Sequence, residues 1–195
     1  MREADPDLEL VRALQAGQDE ALTALMGRHR EAIFRFAYRH LANREDAEEV
    51  AQETFVRAYF ALERFRPSAR VSTWLYQIAL NLCRDRARSR AAQERAASVP
   101  MERVAEDKLQ AGVAPSERPD RQMETRAWVA ALEKAIAELP FKWRTPLILT
   151  ALEGMSHQEA GRILGVSAKA VELRVYRARR LLSEKMAARG FLPPA

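Results

Sequence analysis

The chain has 195 residues, of which 48% are hydrophobic and 30% are charged, and its net charge is +5. This length allows one domain or two small ones, and the apolar fraction excludes a chain that is disordered throughout. We expect neither a membrane span nor a secretory signal, because no run of about 18 apolar residues exists and the N-terminus is acidic. The single cysteine, Cys83, excludes an internal disulfide and indicates a reducing, cytoplasmic compartment.

The positive charge is concentrated near the C-terminus. Residues 126–195 carry 12 basic and 6 acidic side chains, whereas residues 1–90 carry 15 basic and 14 acidic ones. Such an excess attracts a polyanion, so the C-terminal third is expected to contact nucleic acid. Few glycines and many Ala, Leu, Glu and Arg residues favour helices over strands.

The N-terminal half of the chain predicts four helices, each marked by a capping residue or a glycine break. The expected helices cover residues 7–41 with a break near Gly17, then Asn43 to about Arg64, and, after a loop at 65–71, Ser72 to about Ala92.

Residues 96–122 contain three prolines and no aromatic residue, so they cannot bury much surface. We predict a flexible linker there, with at most a short helix at 101–110. Beyond it the pattern is helical again, and Pro146 is expected to kink its helix or delay its start. The expected C-terminal helices run from about Met123 to Leu139, over about 141–152, from His157 to Leu164, and from Ser167 to about Ala188.

These elements predict an all-α fold with two small helical domains, at 1–95 and 123–190, joined by the linker. The C-terminal domain contains a helix-turn-helix pattern. Ser156 and Glu159 have the spacing of a capping box, Gly165 provides the turn, and Ser167 caps the longer second helix.

A helical wheel separates the last helix into an apolar and a basic face. The apolar stripe contains Val171, Val175, Ala178 and Leu182. The opposite face carries Lys169, Glu172, Leu173, Tyr176, Arg177 and Arg180, and Arg174 flanks the apolar stripe. One face packs while the other presents cations, as a reader of the DNA major groove requires. A basic surface helix in a bundle is the alternative, but the two caps and the glycine turn favour DNA binding.

The third helix is strongly acidic at its start, with five acids and one base between Arg44 and Glu53. Its buried stripe is predicted to contain Ala51, Phe55, Ala58 and Leu62. The opposite face combines acids with apolar residues and could dock a protein. From the residues alone a solvated face is favoured, with Phe60 covered by another helix.

The fourth helix begins with aromatic residues and ends in a run of arginines from Arg84 to Arg90. Aromatic rings beside cations suit single-stranded nucleic acid. The alternatives are that Trp74 anchors the core, which we favour, and that the arginines lie on a solvated helix end.

The combination resembles a known family. Residues 46–88, DAEEVAQETFVRAYFALERFRPSARVSTWLYQIALNLCRDRAR, look like the second region of bacterial sigma factors. Together with residues 131–182 they resemble the extracytoplasmic-function sigma factors, and the likeness spans about 7–187. The resemblance implies a protein without enzymatic activity that binds core RNA polymerase, directs it to a promoter and helps to melt the start-site DNA. It also implies control by an anti-sigma factor.

The resemblance assigns roles to three groups of residues. Those matching the helix that docks on the polymerase clamp are Asp46, Glu49, Gln52 and Glu53. Those matching the reader of the −10 element, which captures a flipped base of the melted non-template strand, are Arg66, Ser68, Arg70, Ser72, Asn81, Arg84, Arg86 and Arg88. Those matching the reader of the −35 duplex are Lys169, Glu172, Leu173, Arg174, Tyr176, Arg177 and Arg180. Many relatives carry a basic and a small polar residue where this chain has Glu172 and Leu173, so its −35 sequence is expected to differ.

Two other functions are compatible with parts of the sequence. A stand-alone helix-turn-helix regulator with an N-terminal interaction domain would bind DNA without polymerase. An enzyme is disfavoured, because His29, His40 and His157 lack ligand spacing and no phosphate-binding loop exists. We therefore expect no catalytic residue, metal ion or cofactor. The histidines are interpreted as packed or surface residues, and Cys83 as a core residue rather than a redox switch.

Overall fold

A computed structural model of the chain describes residues 5–65, 70–96 and 119–191. These residues form helices and no strand, which confirms the predicted all-α class. The helices are α1 (Leu8–Gln15), α2 (Glu20–Leu41), α3 (Arg44–Phe60), α4 (Val71–Ala96), α5 (Pro119–Ala137), α6 (Phe141–Leu147), α7 (His157–Leu164) and α8 (Ala168–Ala187), with a 3₁₀ turn at Leu62–Arg64 and a π turn at Ile148–Leu152. Within the described parts, no helix has the length and apolarity needed to cross a membrane.

Helices α1 to α4 form the N-terminal unit, in which α2 packs against each of the other three. The expected break near Gly17 and the cap at Asn43 are confirmed, since the Asn43 side chain accepts a hydrogen bond of 2.8 Å from the Asp46 N–H. The predicted stripe on α3 is also buried. That helix ends four residues earlier than expected, at Phe60, and continues as the 3₁₀ turn.

The start of α4 differs from the prediction. The sequence predicts Ser72 as the cap of this helix, but the helix begins at Val71, so Ser72 lies inside the first turn. The Val71 N–H donates instead to a carboxylate oxygen of Asp5, at 2.6 Å. An acceptor that is distant along the chain therefore replaces the local one. The helix also extends to Ala96, beyond the expected end near Ala92.

The helices on either side of the expected linker at 96–122 extend into it. Ala96 belongs to α4, and α5 begins at Pro119 rather than near Met123. Proline is well tolerated at the first helical position, because its missing N–H has no partner there anyway. Residues 97–118, which include the possible short helix at 101–110, lie outside the described residues.

Helices α6 to α8 build the core of the C-terminal unit, with α5 packed against α8. Pro146 lies inside α6 and has no N–H for the helical ladder, but the helix starts at Phe141, so its start is not delayed. The chain continues as the π turn, and the Thr150 hydroxyl donates to the Pro146 carbonyl at 2.8 Å. Apolar side chains that are fully buried here include Ile148, Leu149 and Val171.

The two units are in direct contact. Helix α4 lies against α7, and α2 lies against α5 and α6. His40 of α2 and Phe141 of α6 place their rings 5.0 Å apart across this boundary. The residues at the boundary are therefore shielded by a part of the chain that is distant in sequence.

We predict opposite effects for alanine at two helical glycines. A Cβ atom at Gly161 would lie 2.6 Å from the backbone oxygen of Val166, in the turn between α7 and α8. Gly161→Ala should therefore lower the free energy of unfolding by about 1–3 kcal/mol. At Gly27 in α2 nothing lies within 4 Å of the added atom, so Gly27→Ala should raise it by about 0.5–1 kcal/mol. Urea unfolding followed by circular dichroism measures the free energy of unfolding of both variants. Equal changes in Gly161→Ala and Gly27→Ala would contradict the close approach of Gly161 to the Val166 backbone.

Candidate nucleic-acid and protein interfaces

The helix-turn-helix is assembled by short-range hydrogen bonds. The Ser156 hydroxyl accepts from the Glu159 N–H at 3.2 Å, and the Glu159 carboxylate accepts from the Ser156 N–H at 3.0 Å, which confirms the capping box. Hydrogen bonding from Ser156 lowers the pKa of Glu159. Gly165 ends α7 in the left-handed region, at a φ of 67°, and the Ser167 side chain accepts from the Ala170 N–H. Residues close in sequence thus determine where α7 begins and ends and where α8 begins.

The two faces of α8 are as the wheel predicts. Val171, Val175 and Ala178 are buried, and Leu182 is half-buried. The residues assigned to DNA lie on the other side, where Lys169, Glu172, Leu173, Tyr176, Arg177 and Arg180 are exposed and Arg174 is half-buried. Leu173 and Tyr176 are 49% and 67% exposed, so this face offers apolar contacts as well as charges.

Three basic residues of α8 have neighbours on the protein surface, two of them in exposed ion pairs and one beside an aromatic ring. Lys169 Nζ lies 2.9 Å from Glu172, and this hydrogen bond lowers the pKa of Glu172. Arg180 Nε lies 3.1 Å from Glu184. The Arg177 guanidinium stacks over the Trp143 ring at 5.5 Å. Water and salt screen exposed ion pairs, so phosphate contacts can replace those of Lys169 and Arg180 at little cost.

The acidic face of α3 touches the arginines of α4. Arg86 bridges Asp46, at 3.2 Å, and Glu49, while Arg90 lies 3.8 Å from Asp46. Glu53 pairs with Arg57 along the same helix, and Gln52 is exposed. The acids assigned to polymerase and an arginine assigned to DNA therefore lie on one surface. The sequence alone assigns them to two separate groups.

An apolar strip continues this acidic face towards the end of α3. Phe60 is 81% exposed, and Val56 and Tyr59 are 42% and 38% exposed. The expectation that another helix covers Phe60 is wrong within the described residues. A contiguous apolar strip beside acids is typical of a protein-docking surface.

The residues assigned to the −10 element have different surroundings. Arg70 Nε lies 3.6 Å from a Glu159 carboxylate oxygen, and the Arg84 guanidinium lies 5.9 Å from the centre of the Phe141 ring. Asn81, Arg86 and Arg88 are placed on α4, Ser72 is half-buried, and Arg66 and Ser68 lie outside the described residues. Trp74 is partly buried, with its ring 4.8 Å from that of Phe65, in agreement with a core role.

Sequence reasoning missed the contact centred on Glu153, which follows the π turn. Its side chain is only 8% exposed. The carboxylate accepts from Arg39 Nη1 at 2.7 Å and from the Tyr76 hydroxyl at 2.5 Å. Burial, together with the charge and hydrogen bond of Glu153, raises the pKa of Tyr76. Arg39 and Tyr76 are 114 and 77 positions away from Glu153 along the chain, so no local sequence motif predicts these contacts.

His40 is buried at the same boundary. Its Nδ1 lies 2.8 Å from the Phe36 carbonyl and its Nε2 lies 3.1 Å from the Thr145 hydroxyl. Burial lowers the pKa of His40 to about 3, and the charges of Arg144, Arg84 and Arg39 act in the same direction. The imidazole is therefore neutral, with Nδ1 donating to the Phe36 carbonyl, while the Thr145 hydroxyl lies between Nε2 and the Phe141 carbonyl, to which it donates at 2.9 Å.

The remaining titratable groups fit structural roles. His29 Nε2 lies 2.7 Å from the buried Asp7, while His157 is exposed. Cys83 is buried, and burial raises the pKa of its thiol to about 12, which supports the core interpretation over a redox switch. In the described part of the chain, no cluster of three or more His, Cys, Asp or Glu side chains could hold a metal ion.

Comparison with known proteins shows which family the chain resembles. The family model described as Sigma-70 region 2 matches residues 25–93, and the one described as Sigma-70, region 4 matches residues 130–182. The chain is 35% identical over 184 residues to the RNA polymerase sigma factor CnrH of Cupriavidus metallidurans, covering 94% of this chain and 95% of that one. It is 28% identical over 176 residues to the ECF RNA polymerase sigma factor SigW of Bacillus subtilis, covering 90% and 94%.

Two solved structures are similar over most of the chain. A structure of CnrH in complex with the cytosolic domain of CnrY aligns with a TM-score of 0.68 and 30% identity, over 93% of this chain and 97% of that one. The sigma factor RpoE of Bartonella quintana, in complex with the anti-sigma factor NepR, aligns with a TM-score of 0.68 over 85% and 96%. At 23% identity the latter supports the fold alone.

We predict that His40 makes the protein less stable in mild acid. In the unfolded chain a histidine has a pKa of ~6.5, whereas the pKa of His40 in the folded chain is about 3. Between these two values the unfolded state binds a proton at His40 and the folded state does not, so acid favours unfolding. The stability is present above pH ~6.5 and is lost as the pH falls towards 3, by up to about 2 kcal/mol between pH ~7 and pH ~5.

Urea unfolding at these two pH values measures this loss. His40→Gln should remove most of the difference, and His157→Gln, on an exposed residue, should keep it. A pH dependence that is equally strong in both variants would contradict the buried, neutral imidazole.

Proposed function

Because this chain belongs to the extracytoplasmic-function sigma factors of the sigma-70 family, we propose that it binds core RNA polymerase and reads promoters with two separate helical units. The supporting observation is that one chain combines an acidic and apolar docking face on α3 with a basic helix-turn-helix at α7 and α8. The first domain, 1–95, would bind polymerase and the −10 element, and the second, 123–190, would bind the −35 element. Residues 96–122 would connect them near the active-site cleft.

Polymerase docking is assigned to Asp46, Glu49, Gln52 and Glu53 on α3. Their acids suit a basic helical surface, and the exposed Phe60 would add apolar contact area. Arg86 already pairs with two of the acids, so polymerase would compete with it. Since exposed pairs are weak, this competition costs little, and docking would release Arg86 towards DNA.

Recognition of the −10 element is assigned to the start of α4 and its arginines. A melted strand offers unpaired bases and phosphates, and a base captured in a pocket offsets the few kcal/mol needed to unstack it. This supports promoter melting by binding energy alone. Arg70, Ser72 and Asn81 would lie near the captured base, with Arg84, Arg86 and Arg88 along the backbone.

Recognition of the −35 element is assigned to α8 in the major groove. Arg177 and Arg180 would contact phosphates or guanine, whose O6 and N7 atoms accept a bidentate guanidinium. Glu172 can accept from cytosine N4, and Leu173 can contact a thymine methyl group. These two positions would give this chain a −35 sequence of its own.

Further properties follow from membership of the family. We propose that the protein is not an enzyme, acts in the cytoplasm, needs no cofactor and is held inactive by an anti-sigma factor. A similar structure at 30% identity is a complex of CnrH with the cytosolic domain of CnrY, which supports a partner protein here. The alternative of a stand-alone regulator is not favoured, because the Sigma-70 region 2 match covers the N-terminal unit that it would use for other purposes.

Charge reversal on α3 tests polymerase docking. Glu49→Lys with Glu53→Lys should abolish co-elution with core RNA polymerase on size exclusion, because two attractive contacts become repulsive. Glu9→Lys with Glu20→Lys makes the same charge change on exposed residues elsewhere in the unit and should leave binding intact. Retained binding of the first pair, with unchanged circular dichroism, would refute the assignment.

Removing two arginines of α8 tests the −35 reader. Arg177→Ala with Arg180→Ala should weaken binding of the holoenzyme to promoter duplex and lower its salt slope by roughly 1 for each phosphate that is no longer neutralised. Arg12→Ala, on an exposed residue of α1, is the control. A slope that stays constant when binding is measured over a range of salt concentrations would count against this face.

A further inference from the structure

Residues 5–15, which include α1 and which we call the N-terminal strap, contact the chain where α3 ends and where α4 begins. At one end of the strap the Gln15 side chain donates to the Leu62 carbonyl, which follows α3, at 2.8 Å. At the other end the Val71 N–H, in the first turn of α4, donates to the Asp5 carboxylate at 2.6 Å. The partners are 47 and 66 positions apart along the chain. One short segment therefore joins the end of α3 to the start of α4.

The strap is fixed to α2 by a buried ionic contact and by apolar packing. The Asp7 carboxylate, 8% exposed, lies 2.7 Å from Arg28 Nη1 and 2.7 Å from His29 Nε2. Burial would raise the pKa of Asp7, but the hydrogen bonds from Arg28 and His29, with their charges, lower it overall. Val11 and Leu14 of α1 are buried as well. The strap therefore has a defined position against the rest of the N-terminal unit.

Asp5 uses both carboxylate oxygens as acceptors. Its Oδ1 accepts from the Asp7 N–H at 3.1 Å, and its Oδ2 accepts from the Val71 N–H. The first N–H groups of a helix have no acceptor within the helix, and a carboxylate at that end also interacts favourably with the helix dipole. Because Asp7 is itself fixed, its hydrogen bond to Oδ1 sets the direction of Oδ2. Asp5 therefore caps α4 from a position that the strap determines.

The capped residue lies between two residues that the proposed function assigns to the −10 element. Arg70 and Ser72 flank Val71 in the chain. The Trp74 N–H donates to the Arg70 carbonyl at 3.2 Å, so Arg70 is bound to the first turn of α4. A binding site needs its contacting groups held to within about 0.5 Å by the residues that support them. The cap at Val71 therefore controls where Arg70 and Ser72 lie.

We propose that Asp5 is a positioning residue for the −10 element, because it holds the first turn of α4, with Arg70 and Ser72, in the orientation that receives the unpaired base. Asp5 acts through this turn and not by touching DNA. The inference rests on the proposed function, and it predicts an effect opposite to that of charge alone. Removing an acid beside a DNA-binding surface strengthens the attraction for phosphates, whereas loss of the cap weakens recognition of the −10 element.

Three variants separate the cap from the charge. Asp5→Ala removes both acceptor oxygens, whereas Asp5→Asn removes the charge but keeps one acceptor oxygen. Glu9→Ala is the matched control, because it removes an exposed acid of the same strap. All three are made in the full-length chain, and circular dichroism checks that each variant is folded.

The first measurement is hydrogen exchange of the free chain, followed by mass spectrometry. Peptides that cover the start of α4 should exchange about tenfold faster in Asp5→Ala than in the wild-type chain, as the loss of one helix cap allows. The same peptides of Glu9→Ala should match those of the wild-type chain. This measurement tests the cap without polymerase or DNA.

The second measurement uses holoenzyme assembled with core RNA polymerase and a duplex that the wild-type holoenzyme selects from a random library. Strand opening, followed by a fluorescent base analogue in the −10 element, should fall about tenfold in Asp5→Ala and less in Asp5→Asn. Binding of a shorter duplex that carries the −35 element alone should stay unchanged. A residue that only stabilises the fold would not separate the two readouts.

The possible results are distinguishable. Unchanged exchange at the start of α4 in Asp5→Ala would overturn the cap and the proposal with it. Faster exchange with unchanged strand opening, or with an equal loss of −35 binding, would overturn the positioning role. If the wild-type holoenzyme neither forms nor opens any selected duplex, the proposed function is overturned, and with it the role of Asp5 at the −10 element, even where the exchange supports the cap.

Discussion

The buried carboxylate of Glu153 is the interaction on which the arrangement of the molecule depends. It lies just after the π turn that follows Pro146, so an irregularity in α6 places an acid where the N-terminal unit can enclose it. Its two partners stand on α2 and α4, the helices that also carry His40 and the arginines assigned to the −10 element. Glu153 thus joins the C-terminal unit to two helices of the N-terminal unit, and these partners offset the solvation that its carboxylate loses in the contact.

The exposed charges behave in the opposite way. Lys169 with Glu172, Arg180 with Glu184, and Arg86 with Asp46 are ion pairs within one unit, open to solvent and to salt. They keep the binding faces ordered yet can be exchanged for a phosphate or a polymerase residue at little cost. In the described residues, exposed ion pairs on the outward surfaces thus contrast with the enclosed contact of Glu153 with Arg39 and Tyr76 at the boundary between the units.

Features encoded by neighbours in the chain are predictable from the sequence. The capping box at Ser156, the turn at Gly165 and the buried stripe of α8 depend on residues at most a few helical turns apart, and their predictions are confirmed. The start of α4 is not predictable in this way, because its acceptor is Asp5. The contact of Glu153 and the burial of His40 involve partners more than 70 positions away. The exposure of Phe60 depends on how the helices pack around α3, which is also a long-range property. A single sequence carries no periodicity that reports such pairings.

The most direct test follows the distance between the two units while polymerase is added. Fluorescent dyes on engineered cysteines at two exposed positions, Glu20→Cys at the start of α2 and Ser183→Cys near the end of α8, report that distance by single-molecule energy transfer, since the buried Cys83 is protected from labelling. The free chain should show one population of high transfer efficiency, and core RNA polymerase should convert it to one of low efficiency. A free chain that already shows low efficiency would contradict the contact between the two units, and a polymerase complex that keeps the high efficiency would contradict the proposed reading of promoters with two separate helical units.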